Sequence, residues 1–320
     1  GVLGVVAPLL LCLLRFGQGI GLGGEWGGAA LVATENAPAH QRAWYGMFPQ
    51  LGAPLGFLFA NGGFLLLTHA LSEEAFRDFG WRIPFLLSAL LLLVGMYVRL
   101  RLEESPVFRE SLRHNVTPKL PLWQVFREHG LQVLQGSLGM VICYALFYIS
   151  TVFALGYATQ TLKIAREQFL LLQCGAILFM ALGIVVASAM ADRVGRRPVL
   201  LTGSVLAVLA GFLLAPAFSC GELVWMAAFM ALALFLMGVT FGPMGALLPE
   251  LFPTPVRYTG AAVAYNLGGI LGASFAPYLA QQLVAAGGLT WVGGYISVAA
   301  LISFFAVLGM HETRQRSLTD

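Results

Sequence analysis

The stretch that decides the fold reads LLRFGQGIGLGGEWGGAALVATENAPAHQR and covers residues 13–42. It is an apolar, glycine-rich segment as long as a membrane span, yet it carries an arginine, Arg15, and a glutamate, Glu25. Charged side chains are costly inside a bilayer, so a span that keeps two of them should face protein or water on one side. The stretch therefore predicts a membrane helix with a polar stripe.

A short polar motif closes this stretch and occurs a second time in the chain. A glutamate, a proline and an arginine are spaced 0, +3 and +7, and the second copy lies 215 residues after the first. The two copies are Glu35, Pro38 and Arg42, and Glu250, Pro253 and Arg257. The same motif at the ends of two similar apolar helices indicates a duplicated membrane protein.

The composition argues against a soluble globular protein. Charged residues make up 10% of the 320 residues, whereas soluble domains carry ~25%; hydrophobic residues reach 58% and the mean hydropathy is +0.82. The four cysteines show no spacing typical of a metal site or a disulfide framework. Enzyme motifs and a basic nucleic-acid surface are not found in the sequence, so we expect a non-enzyme with no metal and no nucleic-acid partner.

Nine apolar segments are long enough to cross a bilayer as helices, which takes ~20 residues each. They cover residues 4–34, 46–70, 82–102, 129–157, 168–190, 197–218, 222–249, 258–285 and 290–310. The chain is therefore predicted to be an all-α polytopic membrane protein. The polar, proline-containing segment 103–128 is interpreted as a cytoplasmic linker.

The distribution of cations predicts the orientation of these spans. If the C-terminal tail lies inside, thirteen of the eighteen lysines and arginines fall on the inner side and four on the outer side. Cytoplasmic loops carry an excess of such residues. We therefore expect a multi-pass protein of the plasma (inner) membrane with a cytoplasmic C-terminus.

The duplication predicts the domain organisation. Spans one to three are repeated as spans seven to nine, whereas spans four to six have no counterpart upstream. Two equal halves then require a parent of twelve helices, of which this chain holds nine; parallel six-helix repeats are a known transporter architecture. The predicted parts are the second part of an N-terminal half (1–102), the linker (103–128) and the C-terminal half (129–320).

Several motifs resemble those of the major facilitator superfamily, and within it the metabolite:proton symporter group. They are Arg15-xx-Gln18-Gly19 with Gly23-Gly24-Glu25-Trp26-Gly27-Gly28, Gln50-Leu51-Gly52, Trp81-Arg82-Ile83-Pro84-Phe85, Glu104-Ser105-Pro106-Val107-Phe108, Asp192-Arg193-Val194-Gly195-Arg196-Arg197-Pro198 and the two copies of the repeated motif. The resemblance covers essentially the whole chain. It departs from the family in the first three helices and the first DRxGRR-type loop, which have no match here.

The polar stripe supplies the first candidate site. Arg15, Gln18 and Glu25 are spaced 0, +3 and +10 and share one face of a helix. An arginine can hold a carboxylate with two hydrogen bonds, and a glutamate can load and release a proton. We interpret Arg15 as an anion anchor and Glu25 as a proton carrier; a structural ion pair between helices is the alternative. Weaker candidates for a polar cavity are Asn61, Tyr144, Tyr148, Gln173 and Asn266.

The charged residues at the inner mouth form the second candidate site. Their matched spacing favours salt bridges that close an inner gate in one state and break in the other, whereas topogenic charge is the simpler alternative. The predicted gate consists of Glu35, Arg42, Asp192, Arg193, Arg196, Arg197, Glu250 and Arg257.

The function predicted from these features is secondary active transport. We expect proton-coupled symport of a small organic acid or zwitterion by alternating access, with protons as the coupling ion and no other cofactor, in a monomer surrounded by lipid. The alternative is a truncated, transport-inactive or sensor-like membrane protein of the same ancestry.

Overall fold

The computed structural model describes residues 4–101 and 121–317, and all regular elements in these ranges are helical. We call residues 4–101 the N-terminal block and residues 121–317 the C-terminal block. The helices of the N-terminal block are α1 (Val6–Glu35), α2 (Arg42–Phe57), α3 (Gly63–Ala70), α4 (Glu73–Asp78) and α5 (Ile83–Arg101). Those of the C-terminal block are α6 (Pro121–Tyr148), α7 (Ala154–Gln160), α8 (Arg166–Val194), α9 (Arg196–Ser219), α10 (Leu223–Phe241), α11 (Met244–Glu250), α12 (Arg257–Gly269), α13 (Ala276–Gly287) and α14 (Leu289–Leu308).

Eight helical segments in the described residues are long and apolar enough to cross a membrane. They correspond to eight of the nine predicted spans, which confirms an all-helical membrane protein. The ninth predicted span, 258–285, is divided into α12, a π-helical turn at Ile270–Ser274 and α13, with a bend at Phe275. Pro277 explains the break, because its ring cannot donate a backbone hydrogen bond and clashes with the preceding turn of a continuous helix.

Within the described ranges, three spans contain such a π-helical turn. The turns are Leu58–Gly62 between α2 and α3, Ile149–Phe153 between α6 and α7, and Ile270–Ser274 between α12 and α13. A π turn inserts an extra residue into a helix and often marks a functional site. The turns after α2 and α12 lie in repeat-related spans, although at positions three residues out of step with the offset of the polar motif.

The repeated polar motif has the same local structure in both copies. In the first, α1 ends at Glu35, a 3-10 turn covers Ala39–Gln41, and α2 begins at Arg42. In the second, α11 ends at Glu250, the turn covers Thr254–Val256, and α12 begins at Arg257. All three boundaries therefore repeat at the offset of the motif. A proline stands just before each 3-10 turn, where it disfavours a helical residue ahead of it and forces the chain to turn.

The predicted linker 103–128 lies mostly outside the described residues. Its last part, 121–128, is helical and belongs to α6, which has non-helical backbone angles at His129. The expected start of the C-terminal half at residue 129 therefore coincides with a kink within α6.

The core lies in the C-terminal block, where α6, α8, α9, α10, α12 and α14 pack together. The N-terminal block contributes α1 and α2, which lie against α8, α11 and α12. Helix α5 is different, since its leucines are exposed on all sides, for example Leu86 at 71% and Leu92 at 72%. A helix that is apolar all round belongs in a lipid or protein environment and not in water.

Candidate functional site

The two copies of the polar motif meet at one end of the bundle, together with the loop between α8 and α9. We call this the charged end. Glu35 of α1 and Arg257 of α12 form an ion pair of 3.3 Å, and their side chains are only 7% and 2% exposed. This pair joins the N-terminal block to the C-terminal block. Both motif copies therefore contribute one member to a single buried contact.

Arg196 and Glu250 form a second buried pair, which lies within the C-terminal block. Two guanidinium nitrogens of Arg196 donate to the two carboxylate oxygens, Nη2 to Oε1 at 3.0 Å and Nε to Oε2 at 3.2 Å. Both side chains are fully buried. Thr313 Oγ1 donates to Glu250 Oε2 at 2.6 Å, and Arg196 Nη1 lies 3.2 Å from Asp192 Oδ1. Charge-assisted bonds with two parallel contacts are among the strongest in proteins, so this pair fixes α9 against α11.

Asp192 holds the first turn of α2, although it belongs to the other block. Its Oδ1 accepts from the backbone N–H of Ala43 at 3.0 Å and its Oδ2 from that of Trp44 at 2.8 Å. The first N–H groups of a helix have no partner within the helix and carry positive partial charge. Asp192 therefore caps α2 from a distance, in a second contact between the blocks.

Glu312 caps α9 in the same way, within its own block. Its carboxylate accepts from the backbone N–H of Arg196 and of Arg197, each at 3.0 Å. The carboxylate fills the space next to Gly195, where an added Cβ would lie 2.5 Å from Glu312 Oε2. Gly195 also has a φ of +108°, which favours glycine. The glycine of the loop is thus required both by its backbone angle and by its neighbour.

Arg42 makes a third contact between the blocks, through the C-terminal segment. Its Nη1 donates to the carbonyl oxygen of Arg316 at 2.6 Å, while Arg316 Nη1 donates to the carbonyl oxygen of Glu250 at 2.9 Å. Arg197 reaches the carbonyl oxygen of Leu308 at 2.7 Å. Arg193 is exposed. The structure thus brings together seven of the eight predicted gate residues and adds Glu312, Thr313 and Arg316.

A second set of contacts between the blocks lies deeper in the bundle. The rings of Trp26 and Tyr265 are stacked, with centroids 3.9 Å apart and planes inclined by 9°. Trp26 Nε1 donates to Gln50 Oε1 at 2.8 Å, and Gln50 Nε2 donates to the carbonyl oxygen of Phe241 at 2.9 Å. We call Trp26, Gln50, Phe241 and Tyr265 the aromatic layer.

Two further side chains of α12 bind the backbone of α1. Asn266 Nδ2 donates to the carbonyl oxygen of Gly23 at 2.9 Å, and Tyr258 Oη donates to that of Gly24 at 3.0 Å. An added Cβ on Gly27 would lie 3.1 Å from Ala262 Cβ. The glycines of the opening stretch therefore let α1 approach α12 closely. This agrees with the packing role that small residues have between membrane helices.

The polar stripe of α1 lies apart from these contacts. Arg15 Nη1 donates to Gln18 Oε1 at 3.2 Å, and both side chains are exposed on the described structure. Glu25 is also exposed, beside a groove of about 790 Å³ that is bordered by α1, α2, α5 and Tyr258. The sequence predicted that these residues face protein or a water cavity; the described residues do not bury them.

The other predicted cavity residues have diverse surroundings. Tyr144 and Tyr148 are half-buried on one face of α6, and the ring of Tyr144 packs edge to face on Tyr265 with centroids 5.8 Å apart. Asn61 lies in the π turn after α2 and donates to the carbonyl oxygen of Phe57 at 3.2 Å. Gln173 is buried, and its Nε2 donates at 2.8 Å to two carbonyl oxygens of the π turn after α6, those of Ser150 and Thr151. Gln173 thus stabilises the turn that follows the tyrosine face.

Sequence reasoning did not single out Glu312, whose carboxylate accepts from backbone N–H groups, and noted Gln50 only as part of a motif. A backbone carbonyl or N–H leaves no pattern in a sequence that would identify its partner. The repeat offset offers a signal for the aromatic layer, since residue 241 is 215 positions after Trp26 and residue 265 is 215 positions after Gln50. For a metal site, no group of three or more potential ligands occurs within residues 4–101 and 121–317.

Comparison with known proteins identifies the family. The sequence model of the Major Facilitator Superfamily matches residues 136–319, and that described as "Sugar (and other) transporter" matches residues 5–117. The inner membrane metabolite transport protein YhjE of Escherichia coli (strain K12) is 49% identical over 321 residues, which cover 99% of this chain and 73% of that protein. The shikimate transporter of the same organism is 33% identical, over 97% of this chain and 72% of that protein.

A solved structure supports the same fold. The proton:xylose symporter XylE bound to 6-bromo-6-deoxy-D-glucose superposes with a TM-score of 0.71, over 91% of this chain and 69% of that chain, at 18% identity. The relatives and the fold are those of metabolite transporters, which confirms the expectation of a non-enzyme. The chain belongs to the Major Facilitator Superfamily.

Proposed function

We propose that the chain carries out proton-coupled symport of a small carboxylate-bearing metabolite across the cytoplasmic membrane by alternating access. The observation that carries the proposal is the buried polar network at the charged end. It joins the two blocks through three side chains, Glu35, Asp192 and Arg42, beside a small cluster of buried apolar residues that includes Ala43 and Ala246. Such a network can form in one state and dissolve in another.

The energetics of buried ion pairs suit a reversible gate. Removing Glu35 and Arg257 from water costs free energy that their electrostatic attraction roughly offsets. The net contribution of such a pair to the stability of the closed state is therefore small. When the blocks separate, both groups regain water and the helix cap by Asp192 is replaced by solvent. Closed and open states can therefore have similar free energies, which a transporter needs in order to cycle.

The contacts within the C-terminal block have a different part in this mechanism. The pair of Arg196 and Glu250 and the cap by Glu312 keep the α8–α9 loop in place in both states. They thereby hold Asp192 where it can meet α2 when the gate closes.

For the substrate, we infer an anion bound through Arg15 and Gln18 and a proton carried by Glu25. The support is chemical: a charged and a polar side chain within one spanning helix require polar surroundings, and a guanidinium matches a carboxylate in geometry and charge. The relative named a shikimate transporter acts on a molecule with a carboxylate group. That relationship supports the same class of substrate here.

The orientation and assembly follow from the charge distribution. The excess of cations on the side of the C-terminal tail favours a cytoplasmic location for the charged end. We therefore treat the network as the cytoplasmic gate, in a monomer within the inner membrane.

The test is uptake by the full-length protein in proteoliposomes. We expect radiolabelled shikimate or another monocarboxylate to accumulate when the outside is made acidic, and a protonophore to abolish the accumulation. Competition by a panel of neutral sugars, dicarboxylates and betaines defines the chemical class of the substrate. Uptake that does not depend on the pH gradient would reject proton coupling. Uptake of neutral sugars alone would reject a carboxylate as the substrate. Absence of any uptake by a folded protein favours the inactive or sensor-like alternative.

A further inference from the structure

We propose that the aromatic layer is a second gate, which closes the floor of the substrate cavity independently of the charged end. The inference rests on the proposed alternating-access function and adds a layer that the ion pairs do not include. Its members come from four helices: Trp26 from α1, Gln50 from α2, Phe241 from α10 and Tyr265 from α12.

The layer is built from two pairs of repeat-related positions. Trp26 and Phe241 are 215 residues apart, and so are Gln50 and Tyr265. Each contact between the blocks joins a member of one pair to a member of the other: Trp26 stacks on Tyr265, and Gln50 binds the carbonyl oxygen of Phe241. The layer thus has the same two-fold relation as the repeated polar motif.

The carbonyl oxygen of Phe241 is available because the helix breaks after it. The residue four positions on, Gly245, donates its N–H to Gly242 at 3.3 Å instead, and Pro243 has no N–H to offer. A buried carbonyl without a partner is costly, and Gln50, which is only 1% exposed, supplies the donor from the other block. When the blocks separate, this carbonyl must find water, so the bond is specific to the closed state.

The layer lies at a constant depth from the charged end. Trp26 and Phe241 are nine residues before Glu35 and Glu250, and Gln50 and Tyr265 are eight residues after Arg42 and Arg257. At 1.5 Å per residue these separations are about 12–14 Å along α1, α2 and α12, whereas the path from Phe241 to Glu250 crosses the break between α10 and α11. The charged end and the aromatic layer are therefore two sets of contacts at different depths in the bundle.

Glycines let the helices approach each other closely between the charged end and the aromatic layer. An added Cβ on Gly46 of α2 would lie 3.0 Å from the backbone of Gly245 on α11. An added Cβ on Gly27 of α1 would contact Ala262 of α12. α2 and α11 therefore pack backbone to backbone here, and α1 lies directly against α12.

The test uses a cysteine placed between the charged end and the aromatic layer. Met47 is 3% exposed and lies between Arg42 and Gln50. A reagent that enters from the side opposite the charged end must therefore cross the aromatic layer to reach Met47→Cys, whereas a reagent from the charged end must cross the ion pairs. The protein is used full-length in inside-out and right-side-out vesicles, with the four native cysteines replaced by alanine, and is labelled with a membrane-impermeant maleimide. Trp26→Phe removes the indole donor, and Gln50→Leu removes both amide contacts at similar volume.

We expect either variant to raise the labelling rate from the side opposite the charged end by about threefold to tenfold. Gln50→Leu removes the bond across the blocks to Phe241, and Trp26→Phe removes the indole bond that orients Gln50. Matched controls make the same changes elsewhere. Gln135→Leu removes an amide-to-carbonyl bond within the C-terminal block, to Gly309, and Trp225→Phe alters an exposed tryptophan of α10. Both controls should leave the rate unchanged.

Unchanged labelling in Trp26→Phe and Gln50→Leu overturns the proposal and leaves the layer as ordinary packing. Glu35→Gln in the same background, labelled from the charged end, serves as the reference for the ionic gate. Faster labelling in Glu35→Gln alone rejects the second gate while the alternating-access function stands. Faster labelling in the layer variants supports the second gate even where the uptake assay fails, since labelling needs no transport. Gel filtration of each variant excludes misfolded protein from the comparison.

Discussion

Gly195 shows how one residue can be fixed by two requirements at once. Its φ of +108° belongs to a region that other residues enter at a cost of about 1–3 kcal/mol. An alanine there would also displace the Glu312 carboxylate that caps α9. We therefore predict that Gly195→Ala lowers the midpoint of thermal unfolding in detergent by several degrees.

Gly288 provides the control for Gly195→Ala. It has a similar backbone conformation, with φ of 75° and ψ of −169°, and no heavy atom within 4 Å of an added Cβ. Gly288→Ala therefore carries the backbone strain without the displaced carboxylate. An equal loss of stability in the two variants would show that the contact of Gly195 with Glu312 contributes nothing.

Arg15 is predicted to bind the substrate anion. Arg15→Leu in the full-length protein should reduce carboxylate uptake at least about tenfold, because a hydrogen bond to a charged group contributes ~1.5–3 kcal/mol. Arg77→Leu is the control, since Arg77 is an exposed arginine of the short helix α4 that pairs with Glu73 of the same helix. Normal uptake by Arg15→Leu would remove the residue from the binding site.

Glu25 is predicted to carry the proton. Glutamine has the shape of glutamate but cannot release a proton, so Glu25→Gln should still bind and exchange substrate without accumulating it against a gradient. The measurement is counterflow compared with pH-driven uptake in proteoliposomes. Glu74→Gln on α4 should behave like the unmodified protein, and a Glu25→Gln variant that still responds to the pH gradient would contradict the assignment.

At the scale of helices, close approach of α2 and α11 is a condition for closing the charged end. Gly46 and Gly245 meet backbone to backbone, so a side chain at position 46 holds the helices apart. We predict that Gly46→Val lowers uptake about tenfold or more by preventing closure, since overpacking typically costs 1–3 kcal/mol. Gly175→Val on α8 carries the same helix-propensity cost with no atom near the added Cβ and should transport normally.

The helices themselves were largely predictable, because ~20-residue apolar segments in a bilayer have few alternatives to the helix. The predicted span ends at 34 and 249 lie one residue before the observed helix ends at Glu35 and Glu250, whereas the predicted starts at 46 and 258 lie after the observed starts at Arg42 and Arg257. The π turns and the bend at Phe275 were not predicted. They depend on local competition between hydrogen-bond patterns, to which hydropathy is insensitive. The ninth span therefore looked continuous in sequence and is divided in the structure.

At the scale of the whole molecule, the sequence predicted which residues gather at the charged end but not how they pair. The matched spacing predicted salt bridges at the inner gate without assigning partners. The structure pairs Glu35 with Arg257 and Glu250 with Arg196, and Arg42 donates to a carbonyl of the C-terminal segment. The division into two six-helix halves around residues 103–128 stays a prediction. The pairing nevertheless decides which contacts a relative movement of the blocks would break.

The two buried ion pairs should therefore respond differently to the same kind of substitution. Arg196 and Glu250 lie within one block, so Arg196→Leu leaves a buried charge in every state and should reduce stability by ~3–5 kcal/mol, seen as a large drop in the unfolding midpoint. Glu35 and Arg257 face each other across the blocks, so Glu35→Gln should lower the midpoint less and instead increase access to Met47→Cys from the charged end. Joint measurement of unfolding and maleimide labelling separates these outcomes. If Arg196→Leu opens the charged end as readily as Glu35→Gln at unchanged stability, both pairs belong to the gate and the C-terminal block does not move as one unit.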